Sequence, residues 1–204
     1  MRWCGFAAIA VLTMAMVPAN AAPAGDWPCI QPRVPSLSVA AFWSGAAVDE
    51  AANAAWREDG EVAKLVAKLV SRRTPVEEAE KMAGEFTARQ GPDKARRAML
   101  VFAGVFYELD TLRGSLIKGI ERFTRSQRRM AEDTNKGRAE LDQLRALPEK
   151  APQQTADIEA LQTKLMWQMR LHKERESSLR YVCETPVLLE QRVFAIARAL
   201  QSGM

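Results

Sequence analysis

From Phe102 to Phe123 apolar side chains recur at steps of three and four: Phe102, Val105, Phe106, Leu109, Leu112, Leu116, Ile120 and Phe123. Only an α-helix brings such a series onto one face. The stripe thins after Phe123, but Met130, Leu141 and Leu144 keep its phase up to Leu147. Pro148 and Pro152 then interrupt it. The same repeat returns in Ile158, Leu161, Leu165, Leu179 and Val182. Two long amphipathic helices joined by a short proline-marked loop fold most simply as an antiparallel hairpin. The sequence therefore predicts an all-α protein, a helical bundle whose hairpin spans 93–204 with its turn near 148–154. If the turn centres near Ala151, positions summing to roughly 302 face each other. Asn135-Lys136-Gly137 has the composition of a left-handed helix cap. The repeat resumes in phase beyond it, which favours one continuous helix.

The remaining helices are short and lie in 46–90. Residues 46–57 and 61–72 are separated by Asp59-Gly60, and Val62, Leu65, Val66, Leu69 and Val70 mark one face of the second. Thr74-Pro75 followed by Glu77 and Glu78 starts the third, with threonine as cap and the acids at the positive helix end. It ends before Gly91-Pro92, and Asp93 caps the long helix. Thr185-Pro186 reads as the start of a separate last helix, with Leu189, Val193, Phe194, Ala197 and Leu200 facing inward. No segment shows the period-two alternation of a strand.

Residues 22–45 precede the helices and hold Pro23, Pro28, Pro32 and Pro35. Proline removes amide donors and fixes the backbone, so this is an extended N-terminal arm. Trp27, Ile30, Leu37, Val39, Phe42 and Trp43 are expected to dock on the bundle. The three glycines Gly104, Gly114 and Gly119 are costly inside a helix, and are expected to admit this arm or another helix closely.

Residues 1–21 have the layout of a secretory signal. Arg2 gives the positive start, Cys4 to Val17 are apolar except Thr13, and Pro18 leads into Ala19-Asn20-Ala21. The apolar run is short for a spanning helix, so cleavage near Ala21 or Ala22 is expected, leaving a periplasmic or secreted chain with no transmembrane segment. Cys29 and Cys183 then remain. An even count in an oxidising compartment points to one disulfide, closing a loop of about 155 residues. Two buried free thiols are the alternative.

The net charge of +4 is a small excess. It is compatible with an anionic partner without demanding one, and gives no support for nucleic acid. Lys118, Arg122, Arg125 and Arg129 concentrate part of that charge on one face of the long helix. They form a candidate partner-binding stripe, or else a solvated face neutralised by Glu174, Glu176 and Glu184. His172, the single histidine, falls on the inward stripe of the return helix with Gln168 and Arg175, opposite Met130. A structural polar layer is the first reading of these three, a pH switch the second. One histidine without a Cys/His cluster makes a poor metal site. No cofactor is expected, because the chain lacks Cys-x-x-Cys, Cys-x-x-Cys-His, His-Glu-x-x-His, Gly-x-Ser-x-Gly and any phosphate-binding glycine loop.

Asp26-Trp27-Pro28-Cys29, with Cys183 and Leu188-Leu189-Glu190-Gln191-Arg192, resembles a group of uncharacterised proteobacterial periplasmic helical proteins. The likeness covers these two short segments. It implies a periplasmic place and no known activity.

The functional expectation is a non-enzymatic interaction or accessory protein. Its charged helical arm, residues 124–178, would dock on another envelope protein, and a long exposed arm could also form a homodimer. Residues 124–140 hold almost no apolar side chain beyond Met130, yet keep helical spacing. The alternative is a small-molecule-binding bundle with Trp43, Phe102, Phe106, Phe123 and Trp167 lining a pocket.

Overall fold

The computed structural model of the protein describes residues 25–148 and 151–204. The signal peptide expected at 1–21 and its cleavage near Ala21 or Ala22 lie outside the described residues. Five α-helices follow an extended segment: α1 (Glu50–Glu58), α2 (Gly60–Leu69), α3 (Val76–Ala88), α4 (Lys94–Ala146) and α5 (Pro152–Ser202). No strand occurs among the described residues. The expected all-α hairpin is present. α4 and α5 are 53 and 51 residues long and pack against each other along their length.

The short helices are set by their ends. Asp49 accepts from Ala52 N at 2.8 Å and starts α1. Asp59 accepts from Glu61 N and Val62 N, both at 3.1 Å, and starts α2. The same Asp59 pairs with Arg97 of α4 at 3.0 Å, so one carboxylate caps a helix and fastens it to the hairpin. α3 departs from expectation: Pro75 occupies the cap position and no side chain caps the helix, so Thr74 does not serve.

The core at the hairpin base is built from the predicted stripes. Val62, Val66 and Leu69 of α2, Phe86 of α3, Val101, Phe102 and Leu109 of α4, and Val193, Ile196 and Leu200 of α5 are all buried. Each such side chain contributes roughly 1.5–3 kcal/mol of transfer free energy. Gly104 lets α4 lie against α1 and α2, since a Cβ there would come within 2.7 Å of Val66 and 2.9 Å of Trp56. Gly114 and Gly119 do not act this way. A Cβ would meet nothing within 4 Å at Gly114 and only the Arg122 guanidinium, at 4.0 Å, at Gly119.

A second, smaller core lies far along the hairpin, where Leu141, Ile158 and Leu165 are buried with Leu144 and Leu161 against them. α4 runs unbroken through Asn135-Lys136-Gly137. Gly137 is spent on packing instead of capping, with its Cβ position 2.9 Å from Leu165 Cδ2. Positions 137 and 165 obey the expected pairing of facing residues.

α5 corrects a second expectation. It passes straight through Thr185 and Pro186, so no separate last helix exists. Pro186 removes one backbone hydrogen bond, at a cost of about 3 kcal/mol in an isolated helix. Cys183 on one side and Leu189 and Val193 on the other are held by tertiary contacts, and these keep the axis continuous. Phe194, expected to face inward, is half exposed.

Candidate functional site

The N-terminal segment runs antiparallel to α4 as a strap. Asp26 meets Arg125 and Arg128 at 2.7 and 3.0 Å. Arg33 pairs with Glu121. The Val34 carbonyl accepts from Arg113 at 2.6 Å, and Leu37 N donates to Asp110 at 3.1 Å. Phe42 and Trp43 close the series on Phe106 and Phe102, the Trp43 ring stacking on Phe102 at 4.6 Å between centroids. Cys29 and Cys183 form the expected disulfide and bind the strap to α5, their Cα atoms 5.5 Å apart. Ile30, expected to dock, is fully exposed, and Val34 is 42% exposed. The strap is therefore held by polar contacts and the cystine over its first half and by apolar burial over its second.

Under the strap lies Arg113, buried to 2% exposure. Its guanidinium pairs with Glu190 of α5 at 2.6 Å as well as with the Val34 carbonyl. Charge-assisted bonds of this kind satisfy a cation that water no longer reaches. Arg192, two residues past Glu190 on α5, is also buried and donates to the Leu69 and Thr74 carbonyls at 2.6 and 2.9 Å. Burial, with no counter-charge, lowers its pKa from the usual arginine value.

The basic stripe is on the surface as expected, since Lys118, Arg122, Arg125 and Arg129 are all exposed. Its neutralisation differs from expectation. Arg125 pairs with Asp26 of the strap, whereas Glu174 pairs with Arg170 on its own helix at 3.0 Å. Among the described residues no ion pair joins the stripe to Glu176 or Glu184. Position explains this at Arg125, where the strap and not α5 supplies the carboxylate.

Gln168, His172 and Arg175 all lie half-buried on the inward side of α5. The layer is larger than the sequence showed, because Thr124, Gln127 and Thr134 of α4 are buried opposite them. Thr124 and Thr134 donate to carbonyls one turn back, at 3.0 and 2.8 Å. Gln127 finds no partner for either amide atom, nor does His172 for Nδ1. His172 also lines a cleft with Thr134, Arg138 and Glu176. Among the described residues no group of three or more His, Cys, Asp or Glu side chains is placed to hold a metal.

The five aromatics proposed for a pocket are not brought together. Trp43, Phe102 and Phe106 pack on one another in the base. Trp167 stands 65% exposed on the arm. Trp167 borders a cleft of about 390 Å³ on the α5 surface, and Phe123 borders a separate one. That cleft holds about 440 Å³ between α4 and α5, walled by Leu116, Ile120, Phe123, Leu171, Leu179 and Val182, with Gly119, Ser115 and Ser178 giving it depth. Glu174 and Arg175 complete its lining. At about 100° per residue, Glu121 and Arg128, which hold the strap, lie on the far side of α4 from Gly119. At the level of Gly119 the hairpin is thus covered by the strap on one side and open on the other.

Sequence reasoning missed Arg113, Asp26, Gln127 and this cleft. A lone arginine and a glutamine within inward-facing stripes were the available signals for two of them.

No helix among the described residues is long and apolar enough to cross a membrane. Compared with known proteins, the chain matches no family model, no curated protein and no solved structure.

Proposed function

We propose that the protein is an exported, non-enzymatic interaction protein that docks on another envelope protein through the helical arm. The observation that carries this reading is the separation of the two cores. Residues of the base cluster end at Leu116 on α4 and resume at Leu189 on α5, while the arm has only its own small cluster. Beyond Arg128 the arm's side-chain hydrogen bonds stay within the hairpin among the described residues. Some 30 Å of helix is thus held away from the base. A structure that spends two long helices in this way, and exposes Met166 and Trp167 at 64% and 65% on them, offers a contact surface to a partner. Export and a periplasmic place rest on the signal-like start and on the Cys29–Cys183 bridge, a bond that persists in oxidising compartments. The partial likeness to periplasmic helical proteins agrees with that place.

The test is in-envelope crosslinking of the full chain and of a variant whose arm is shortened by equal lengths on α4 and α5 around the turn. The base is expected to stay folded and the captured partner to be lost. Recovery of the same partner with and without the arm tip overturns the reading.

A further inference from the structure

On the face of the hairpin opposite the strap, we infer that the open cleft binds a single-chain amphiphile ending in a carboxylate. This goes beyond docking through the arm and does not depend on it. The cleft's walls are aliphatic and aromatic, and its volume of about 440 Å³ lies within the usual range for ligand sites. Along α5 it extends from Val182 to Leu171, about 16 Å, so it suits an elongated apolar body.

Toward its Leu171 end the cleft is lined by two charged residues. Arg175 lines it and has no ion pair among the described residues. Glu174 also lines it, but its carboxylate is held by Arg170. The Arg122 guanidinium, 4.0 Å from the Cβ position of Gly119, stands at the other end, level with Val182 and Cys183. Gln127 stands one turn beyond Phe123 and, by the hairpin register, level with Arg175. Its side chain is 9% exposed, and both amide atoms are buried without a partner. A carboxylate brought to Arg175 gives its guanidinium the counter-charge it lacks.

Isothermal titration of the oxidised full chain with monomeric dodecanoate tests the site. Saturable one-to-one binding is expected. Gly119→Leu fills the cleft and weakens binding on the order of tenfold or more. Gly114→Ala, at a position outside the cleft's lining where a Cβ meets nothing within 4 Å, leaves binding unaltered. Both variants replace a helical glycine with a better helix former, and thermal melting verifies that each is folded before its binding is compared. Arg175→Gln weakens dodecanoate roughly tenfold but leaves dodecanol unchanged. Absence of saturable binding, equal affinity in Gly119→Leu, or equal loss of acid and alcohol in Arg175→Gln overturns the inference. A wild-type dimer that Gly119→Leu converts to monomer assigns the cleft to self-association and also overturns it.

Discussion

Arg113 of α4 and Glu190 of α5 meet across the hairpin at 2.6 Å, and the strap carbonyl of Val34 seals the arginine from water. Three parts of the chain distant in sequence share this one guanidinium. Removing the glutamate leaves a cation stranded in the interior. Glu190→Ala is expected to cost about 3 kcal/mol. Replacing both partners, as Arg113→Met with Glu190→Leu, should recover most of that loss. Urea unfolding of the single and double variants measures it, and additive losses in the double variant would show that the two side chains do not act as a pair.

The cystine closes a loop with a sequence separation of 154. Chain entropy alone gives about 5 kcal/mol for a loop of this length, an upper value. Cys29→Ser is expected to lower stability by up to that amount and to free the first half of the strap. Asp26→Asn, which removes only half-exposed ion pairs with Arg125 and Arg128, should cost below about 1 kcal/mol. Denaturant curves with and without reductant distinguish the two contributions.

Glycines in α4 should respond in opposite directions. Gly104→Ala drives a methyl toward Val66 and Trp56 and is expected to destabilise by about 1–3 kcal/mol, despite better helix propensity. Gly114→Ala meets nothing and should gain up to about 1 kcal/mol. Thermal melting of both variants is decisive, and a matched sign at the two sites would contradict the packing described.

Asp59 links stability to pH. Burial acts to raise its pKa, but its hydrogen bonds with Val62 and Glu61 amides and with Arg97 outweigh that and hold it below the ordinary value of 3.8. A carboxyl depressed in the folded state binds its proton more readily when unfolded. Its stabilisation is therefore complete well above pH 3.8 and is lost as pH falls through that value toward the lower folded one. Asp59→Asn should flatten part of the fall in stability between pH 6 and pH 3. An unchanged pH profile would remove Asp59 from the account.

The long helices were legible because burial on a helix repeats locally, and Phe102 to Phe123 carry that repeat without interruption. The pairing of Gly137 with Leu165 followed from it, since a hairpin's register is fixed once its turn is known. Pro186 was misread because local propensity forbids what tertiary contacts on both sides of it enforce. The partner of Arg125 was misassigned for a related reason. Nothing near residue 26 announces where an extended segment will lie, and its path is set by docking on a surface that exists only after α4 and α5 have paired. The open cleft was hidden differently: Leu116, Ile120, Leu179 and Val182 read as ordinary core, and only the absence of a covering element turns them into walls.

The strap and its bridge also determine how force crosses the molecule. A pull between the segment before Cys29 and the far end of the arm travels through Cys29 and the bridge to Cys183, then directly up α5. The polypeptide route through α1, α2, α3 and the base of α4 is far longer than this path. The base is mechanically shunted, so tension on the arm would strain the hairpin's own seam while leaving the main core at rest.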